Sequence, residues 1–262
     1  MKAVSRDGTM IAYDQVGTGV PVVIVGAALQ GRASYQPLAE ALAARFTVFN
    51  YDRRGRGDSG DTAPYAVERE IEDLAAVIVA AGGPAAVYGH SSGAGLVLHA
   101  AAHGLPIDKI VLHELPFDPD EDESATREEA ARYRSLIEEN RPGDAVELFL
   151  ASAGMPPELV AHVRNDPAMV ANAPTLLYDP FEIMSTDSRN GRTPAEQATA
   201  VTTEALVLAG TEGPPWMAVT ARELADALPQ GQLRVMPGQG HVVPPEVLAP
   251  VLIEFLMVSP RR

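Results

Sequence analysis

The 262-residue chain contains no cysteine. That absence excludes a disulfide framework, thiolate zinc sites, iron–sulfur clusters and cysteine nucleophiles. Positive charge is scarce as well: 20 Lys and Arg stand against 35 Asp and Glu, a formal charge of −15. Such a balance argues against nucleic acid and anionic membrane surfaces as partners. No apolar run approaches the ~20 residues of a spanning helix, and the longest, Leu74 to Ala81, suits the buried side of a single helix. The first ten residues are polar and mixed, without the regions of a secretory leader, so a cytoplasmic protein is expected. What is present, 46% hydrophobic and 21% charged residues, fits a globular chain with a sizeable core. The length suits one α/β domain with an insertion, or at most two small domains.

Hydrophobic periodicity gives the organisation. Met10 to Val16 alternates and ends at Gly17 and Gly19, which predicts a hairpin. Val20 to Val25 is the β-branched run of a strand covered on both faces. The spacing then predicts a helix over 34–44, a strand over 46–51, a helix over 68–81 that stops at Gly82-Gly83-Pro84, a strand over 85–88, a helix over 93–103 and a strand over 110–113. Strands alternating with helices imply α/β architecture: a mostly parallel central sheet with helices on both faces. From Asp118 to Ala200 the pattern turns to acidic helices and Pro-rich breaks without a strand, with a helix including 130–139. Alternation resumes with a strand over 205–209, a helix over 216–228, a strand over 233–236 and a helix over 246–257. The expected division is a core of residues 1–117 and 201–262 and a helical cap insertion, 118–200.

The strongest chemical signal is Gly89-His90-Ser91-Ser92-Gly93, a G-x-S-x-G between a predicted strand and a predicted helix. A serine there occupies a tight, strained turn, and the flanking glycines allow close backbone approach. Ser91 is thus the candidate nucleophile, and the Ser92 amide, at a helix N-terminus, a candidate oxyanion donor. Here His90 is the variable position of the motif. A serine hydroxyl needs a base. His241, in Gly238-Gln239-Gly240-His241-Val242 between the last strand and the last helix, stands where this chain order requires it. His99 and His103 are four apart on a helix, but no Glu follows His99 as in H-E-x-x-H, so packing or helix surface is expected; His162 is expected to be exposed.

The orienting acid is less direct. Its usual place follows the penultimate strand, three residues after Gly210, and that position is Gly213, with Glu212 beside it. A second place is the end of the strand after the nucleophile helix, His113-Glu114-Leu115-Pro116. A glutamate at an apolar strand end is costly without a partner, and the His241 ring would be one. Glu114 is the first candidate; Glu212 and an acid-free dyad are the alternatives.

Residues Asp52-Arg53-Arg54-Gly55-Arg56-Gly57-Asp58-Ser59 resemble the D-x-R-G-x-G-x-S loop of the α/β-hydrolase-fold superfamily, so the whole chain resembles that fold. This resemblance implies that the arginine-rich loop is a structural border of the site. Ser91-Ser92-Gly93-Ala94 followed by His113-Glu114-Leu115-Pro116 is similar, more narrowly, to zearalenone-hydrolase-type lactonases, which implies a Ser–His–Glu triad of Ser91, His241 and Glu114. The chain departs from the superfamily where His-Gly commonly follows the strand at 22–25; here Gly26-Ala27-Ala28 follows, and the first oxyanion amide would be that of Ala28.

No nucleotide, flavin or metal signature is present, so no cofactor is expected. The expected activity is cleavage of a small to medium apolar ester or lactone through an acyl-enzyme. Phe117, Tyr178, Phe181, Met184 and Trp216 are candidates to line the cap side of the pocket, with core packing the alternative for each. An acyltransferase or perhydrolase with the same triad, or a noncatalytic ligand-binding protein of this fold, are the competing readings. Nothing in the sequence indicates oligomeric state.

Overall fold

A computed structural model describes residues 1–120 and 123–258. The strands are β1 (Lys2–Val4), β2 (Met10–Gly17), β3 (Val20–Val25), β4 (Phe46–Tyr51), β5 (Ala85–His90), β6 (Ile107–His113), β7 (Glu204–Gly210) and β8 (Gly231–Met236). They form one sheet in the order β1-β2-β4-β3-β5-β6-β7-β8. The pairs β1/β2 and β2/β4 are antiparallel and all others parallel. The first helices are α1 (Arg32–Leu42), α2 (Val67–Ala80) and α3 (Ser92–Ala102). Between β6 and β7 come α4 (Glu123–Glu138), α5 (Pro142–Ser152), α6 (Pro157–Val163), α7 (Pro167–Asn172) and α8 (Pro194–Ala198), and the chain ends with α9 (Pro215–Ala227) and α10 (Pro245–Met257).

The central strands are apolar on both sides because each side faces a different layer. Val23 and Val25 join Val87, Ile110 and Leu112 under α2, α3 and α9, whereas Val22 and Ile24 join Tyr88 and Val111 under α1 and α10. Period-two geometry thus divides one continuous hydrophobic run between two cores.

The beginning of the chain differs from its predicted hairpin. β2 and β3 are not neighbours: β4 lies between them, and β2 pairs on its other side with β1, a short strand that the sequence pattern does not announce. The turn at Gly17 and Gly19, both at positive φ, packs on the entry into β4. A Cβ on Gly17 would lie 2.3 Å from the Phe46 carbonyl oxygen, and one on Gly19 2.5 Å from that of Arg45. These glycines serve a close crossing of backbones, with the slot between β2 and β3 left for β4.

The helices between β6 and β7 have an apolar cluster of their own. Tyr133, Ala145, Val146, Leu150, Val160, Ala173 and Leu176 gather around Leu29, which the β3–α1 loop contributes. The loop after β4 supplies the polar counterpart. Arg53, Arg54 and Arg56 are all buried, Arg53 against Glu70 and Asp179, Arg54 against Asp73, and Arg56 against Asp179. Burial alone would push the Asp179 carboxyl up, but the two guanidinium groups hold it below its ordinary value. Among the described residues no helix is long and apolar enough to cross a membrane.

Candidate active site

Ser91 occupies the single residue between β5 and α3, at φ 56° and ψ −124°. Such a backbone is strained for an L-residue and persists only where its surroundings enforce it. Those surroundings are the flanking glycines. A Cβ on Gly89 would lie 2.5 Å from the Gly93 carbonyl oxygen, and one on Gly93 would lie 2.4 Å from that of Val25. Side chains at either position would separate β3, the turn and α3. The amide of Ser91 donates to the His113 carbonyl at 2.8 Å, anchoring the turn to β6.

Glu114 directly follows β6, also at positive φ (53°), and is 2% exposed. Its amide donates to the Leu208 carbonyl at 2.9 Å, so β7 fixes its backbone. One carboxylate oxygen, Oε1, accepts from the Gly210 amide at 2.6 Å; the other, Oε2, lies 3.3 Å from Nδ1 of His241. His241 itself is in the loop between β8 and α10, with its side chain 43% exposed. A ring that donates from Nδ1 to a carboxylate keeps Nε2 as an acceptor. The Ser91 hydroxyl makes no hydrogen bond to this ring among the described residues, a contact that in free enzymes often closes only with substrate.

The two acid candidates are therefore in different places. Glu212 is exposed, and its carboxylate accepts from the Thr211 hydroxyl at 3.2 Å. Gly213 faces the buried acid: a Cβ there would lie 3.8 Å from Glu114 Oε2. The carboxylate of Glu114 thus borders the space into which a side chain from position 213 would extend. Gly210 is pressed between the same loops, since a Cβ on it would lie 2.1 Å from the Gln239 carbonyl oxygen.

Of the amides after β3, that of Ala27 donates to Tyr35 Oη at 2.9 Å. The amides of Ala28 and Ser92 make no hydrogen bond among the described residues. Arg53 Nη1 lies 3.2 Å from both the Gly26 carbonyl oxygen and Ser92 Oγ, so one buried guanidinium ties together the two segments that carry these amides.

His90 has a more specific environment than its place in the motif suggests. Burial, with His241 nearby, pushes its pKa down to about 3, so it is neutral at ordinary pH. Its ring lies between those of His113 and His241, with centroids 4.9 Å away in each case. The partners are distant in sequence, and no local pattern announces them. His99 is buried, with Nε2 3.0 Å from the Ile183 carbonyl and Nδ1 3.1 Å from the Gln197 amide, which is a packing role; His162 is exposed.

The five lining candidates are scattered. Met184 lies over α3, where a Cβ on Gly95 would be 2.5 Å from its sulfur. Tyr178 is stacked on Tyr65 at 3.8 Å and donates to Asp61 at 2.7 Å. Phe181 packs with Tyr133 in the cluster of the inserted helices, Phe117 packs against the main core, and Trp216 is half-buried at the start of α9. Among the described residues no three His, Asp or Glu side chains are grouped to hold a metal ion.

Residues 22–250 match the model of the alpha/beta hydrolase family. An alpha/beta hydrolase from Sphaerobacter thermophilus has a similar structure, with 47% identity, a TM-score of 0.89 and coverage of 98% of this chain and 100% of that one. A putative non-heme bromoperoxidase from Mycobacterium tuberculosis is 27% identical over 94% of this chain and 97% of its own. The enol-lactonase from Burkholderia xenovorans, at 20% identity, shares the fold with a TM-score of 0.72, covering 98% of this chain and all of its own. With its eight-stranded sheet, its serine on the turn after β5 and this match across most of its length, the chain belongs to the alpha/beta hydrolase family.

Proposed function

We propose that the protein is a serine hydrolase of carboxylic esters, lactones included. The observation that carries this reading is the buried carboxylate of Glu114 3.3 Å behind Nδ1 of His241, on the same rim of the sheet as Ser91. An imidazole held in that way presents Nε2 as a base, and a serine on a strained turn beside a helix N-terminus is the group it would serve.

In the reaction, Ser91 Oγ attacks the ester carbonyl and its proton passes to His241 Nε2. The amides of Ala28 and Ser92 hold the oxyanion. His241 then protonates the leaving alkoxide, which gives the acyl-enzyme. Water attacks the acyl group, losing its proton to His241, and that proton returns to Ser91 as the carboxylic acid leaves. Glu114 keeps the ring in one tautomer and stabilises the imidazolium. In a lactone the protonated leaving group, now a hydroxyl, remains part of the acyl group, so deacylation releases a single product, a hydroxy acid. The likeness of Ser91-Ser92-Gly93-Ala94 and His113-Glu114-Leu115-Pro116 to zearalenone-hydrolase-type lactonases supports a lactone as the narrower expectation. Residues 118–200 act as a cap in this reading, with Met184, over α3, the lining candidate next to the nucleophile turn.

Hydrogen peroxide is a second acceptor to test, because a relative carries the name putative non-heme bromoperoxidase. Peroxide in place of water would discharge the acyl-enzyme as a peracid. The test uses a p-nitrophenyl acyl ester and a serine-directed phosphonate. The protein is expected to turn over the ester and to be labelled at Ser91, with both lost in Ser91→Ala. Unchanged turnover by Ser91→Ala would overturn the mechanism; absence of both in the unsubstituted protein would favour a noncatalytic binding role.

A further inference from the structure

The environment of His90 suggests a role for a position that the nucleophile motif leaves open. Its Nε2 lies 2.8 Å from the carbonyl oxygen of His241, and its Nδ1 lies 2.8 Å from Tyr35 Oη. Tyr35 Oη in turn accepts from the Ala27 amide at 2.9 Å. The direction of each hydrogen bond follows from chemistry. A carbonyl only accepts, so His90 Nε2 carries the proton. The ring is neutral, so Nδ1 is bare and accepts from the tyrosine hydroxyl, whose oxygen is left to accept from Ala27. One polarised chain runs from the amide beside Ala28, through Tyr35 and His90, to the backbone of His241. The His90 ring also lies against that of His241, at 4.9 Å and 37°.

We infer that Tyr35 and His90 are positioning residues that hold the backbone and ring of His241 in register with the oxyanion segment after β3. The inference rests on the reading of His241 as the base. His241 is the most exposed member of the site, on a loop rather than a strand, and Glu114 contacts only its ring. His90 supplies what Glu114 does not, a hold on the loop itself. Its own place, at the end of β5 and immediately before Ser91, makes the nucleophile turn the reference for both. Small displacements of reacting groups are costly, about a hundredfold in rate for 1 Å, so a link of this kind acts on kcat.

The test compares Tyr35→Phe, His90→Gln, His90→Leu and the double variant Tyr35→Phe/His90→Leu by kcat and KM on a p-nitrophenyl acyl ester, with melting temperature measured alongside. Leucine removes both hydrogen bonds, and glutamine retains a donor for the His241 carbonyl. His90→Leu is expected to lose about 10–100-fold in kcat with KM within about twofold. His90→Gln should recover to within about fivefold of the unsubstituted protein, and Tyr35→Phe should fall between the two. If the chain acts as a unit, the double variant loses no more than about twofold beyond His90→Leu. Where His90→Leu fails to fold, Tyr35→Phe and His90→Gln carry the comparison. Equal losses with glutamine and leucine, fully additive losses, or effects confined to KM or melting temperature would overturn the inference. An active unsubstituted protein with unimpaired variants overturns this inference alone. Neither turnover nor phosphonate labelling in the unsubstituted protein overturns the hydrolase reading, and this inference with it.

Discussion

In the proposed mechanism Glu114 orients His241, and Glu114→Gln isolates that contribution, because it changes charge and one hydrogen-bonding atom at constant volume. Both carboxylate oxygens are committed, Oε1 to the Gly210 amide at 2.6 Å and Oε2 to His241 Nδ1 at 3.3 Å. An amide side chain has one acceptor and one donor to put in these places. Its oxygen is retained by the shorter bond to Gly210, so its NH₂ faces Nδ1. The ring must then turn its other tautomer, with Nδ1 as acceptor and Nε2 protonated, and a protonated Nε2 cannot take the Ser91 proton. Loss of a triad orienter in this manner costs about 10²–10⁴ in kcat, or about 3–5 kcal/mol of transition-state stabilisation. The assay is kcat on an activated ester at neutral pH, with Glu212→Gln as the comparison, expected to stay within about threefold since its carboxylate is exposed and bonded to Thr211.

A second arm moves the acid instead of deleting it. Gly213 is not among the residues at positive φ, so it admits a side chain, and a Cβ there lies 3.8 Å from the present position of Glu114 Oε2. Glycine at position 114 suits its φ of 53°. The exchange Glu114→Gly/Gly213→Asp is expected to recover at least about tenfold over Glu114→Gly alone. Activity of Glu114→Gln within a few-fold of the unsubstituted protein, with a hundredfold loss in Glu212→Gln, would refute the proposed acid.

Acid should destabilise the protein through its buried imidazoles. Burial pushes His90 down to about 3 and His99 to about 4, and His113 shifts the same way, whereas an unfolded histidine titrates near 6.5. The unfolded chain therefore binds protons that the folded one refuses. The stabilisation is complete above about pH 6.5 and is lost as pH falls toward the folded values, about 2–3 kcal/mol for each of His90 and His99 at pH 4.5. Urea unfolding at pH 7 and pH 4.5 measures it, and a total loss under about 2 kcal/mol contradicts the neutral burial of these rings. Asp179→Ala should cost about 3–5 kcal/mol, since it leaves the buried Arg53 and Arg56 short of a carboxylate. A loss below about 1 kcal/mol in the same urea assay would show that solvent or Glu70 replaces it.

What the sequence made legible was whatever sterics or burial fix locally. The turn at Ser91 is written in Gly89 and Gly93 because the approach to Val25 and the start of α3 leaves no room for a Cβ, whatever the rest of the chain does. Glu114 is legible for a related reason: a carboxylate at the end of an apolar strand requires a partner, and few groups are available there. The order of the first strands is not legible. The periodicity of β2 and β3 states which faces are buried, and that is the same whether they pair with each other or with β4 between them. Gly17 and Gly19 signal a turn, but equally well a tight hairpin or the backbone crossing that occurs.

The arginine-rich loop shows the same limit for charge. The resemblance implies a structural loop here, but not how its charges are met: Arg53, Arg54 and Arg56 are all buried, because Glu70 and Asp73 of α2 and Asp179 from the segment between β6 and β7 converge on them. The first two acids are a helical turn apart and could be read as one face of α2, but Asp179 lies more than a hundred residues away and only the tertiary fold delivers it. A buried charge is stable only with its partners, so its burial cannot be judged until they are known. His90 is the sharper case. A neutral imidazole needs one donor and one acceptor, and here the donor is Tyr35 and the acceptor is the His241 carbonyl, 55 and 151 residues away. The G-x-S-x-G pattern constrains only the glycines and the nucleophile. The pattern leaves the second position unspecified, but only a residue with a donor and an acceptor on opposite sides can join Tyr35 to the His241 loop.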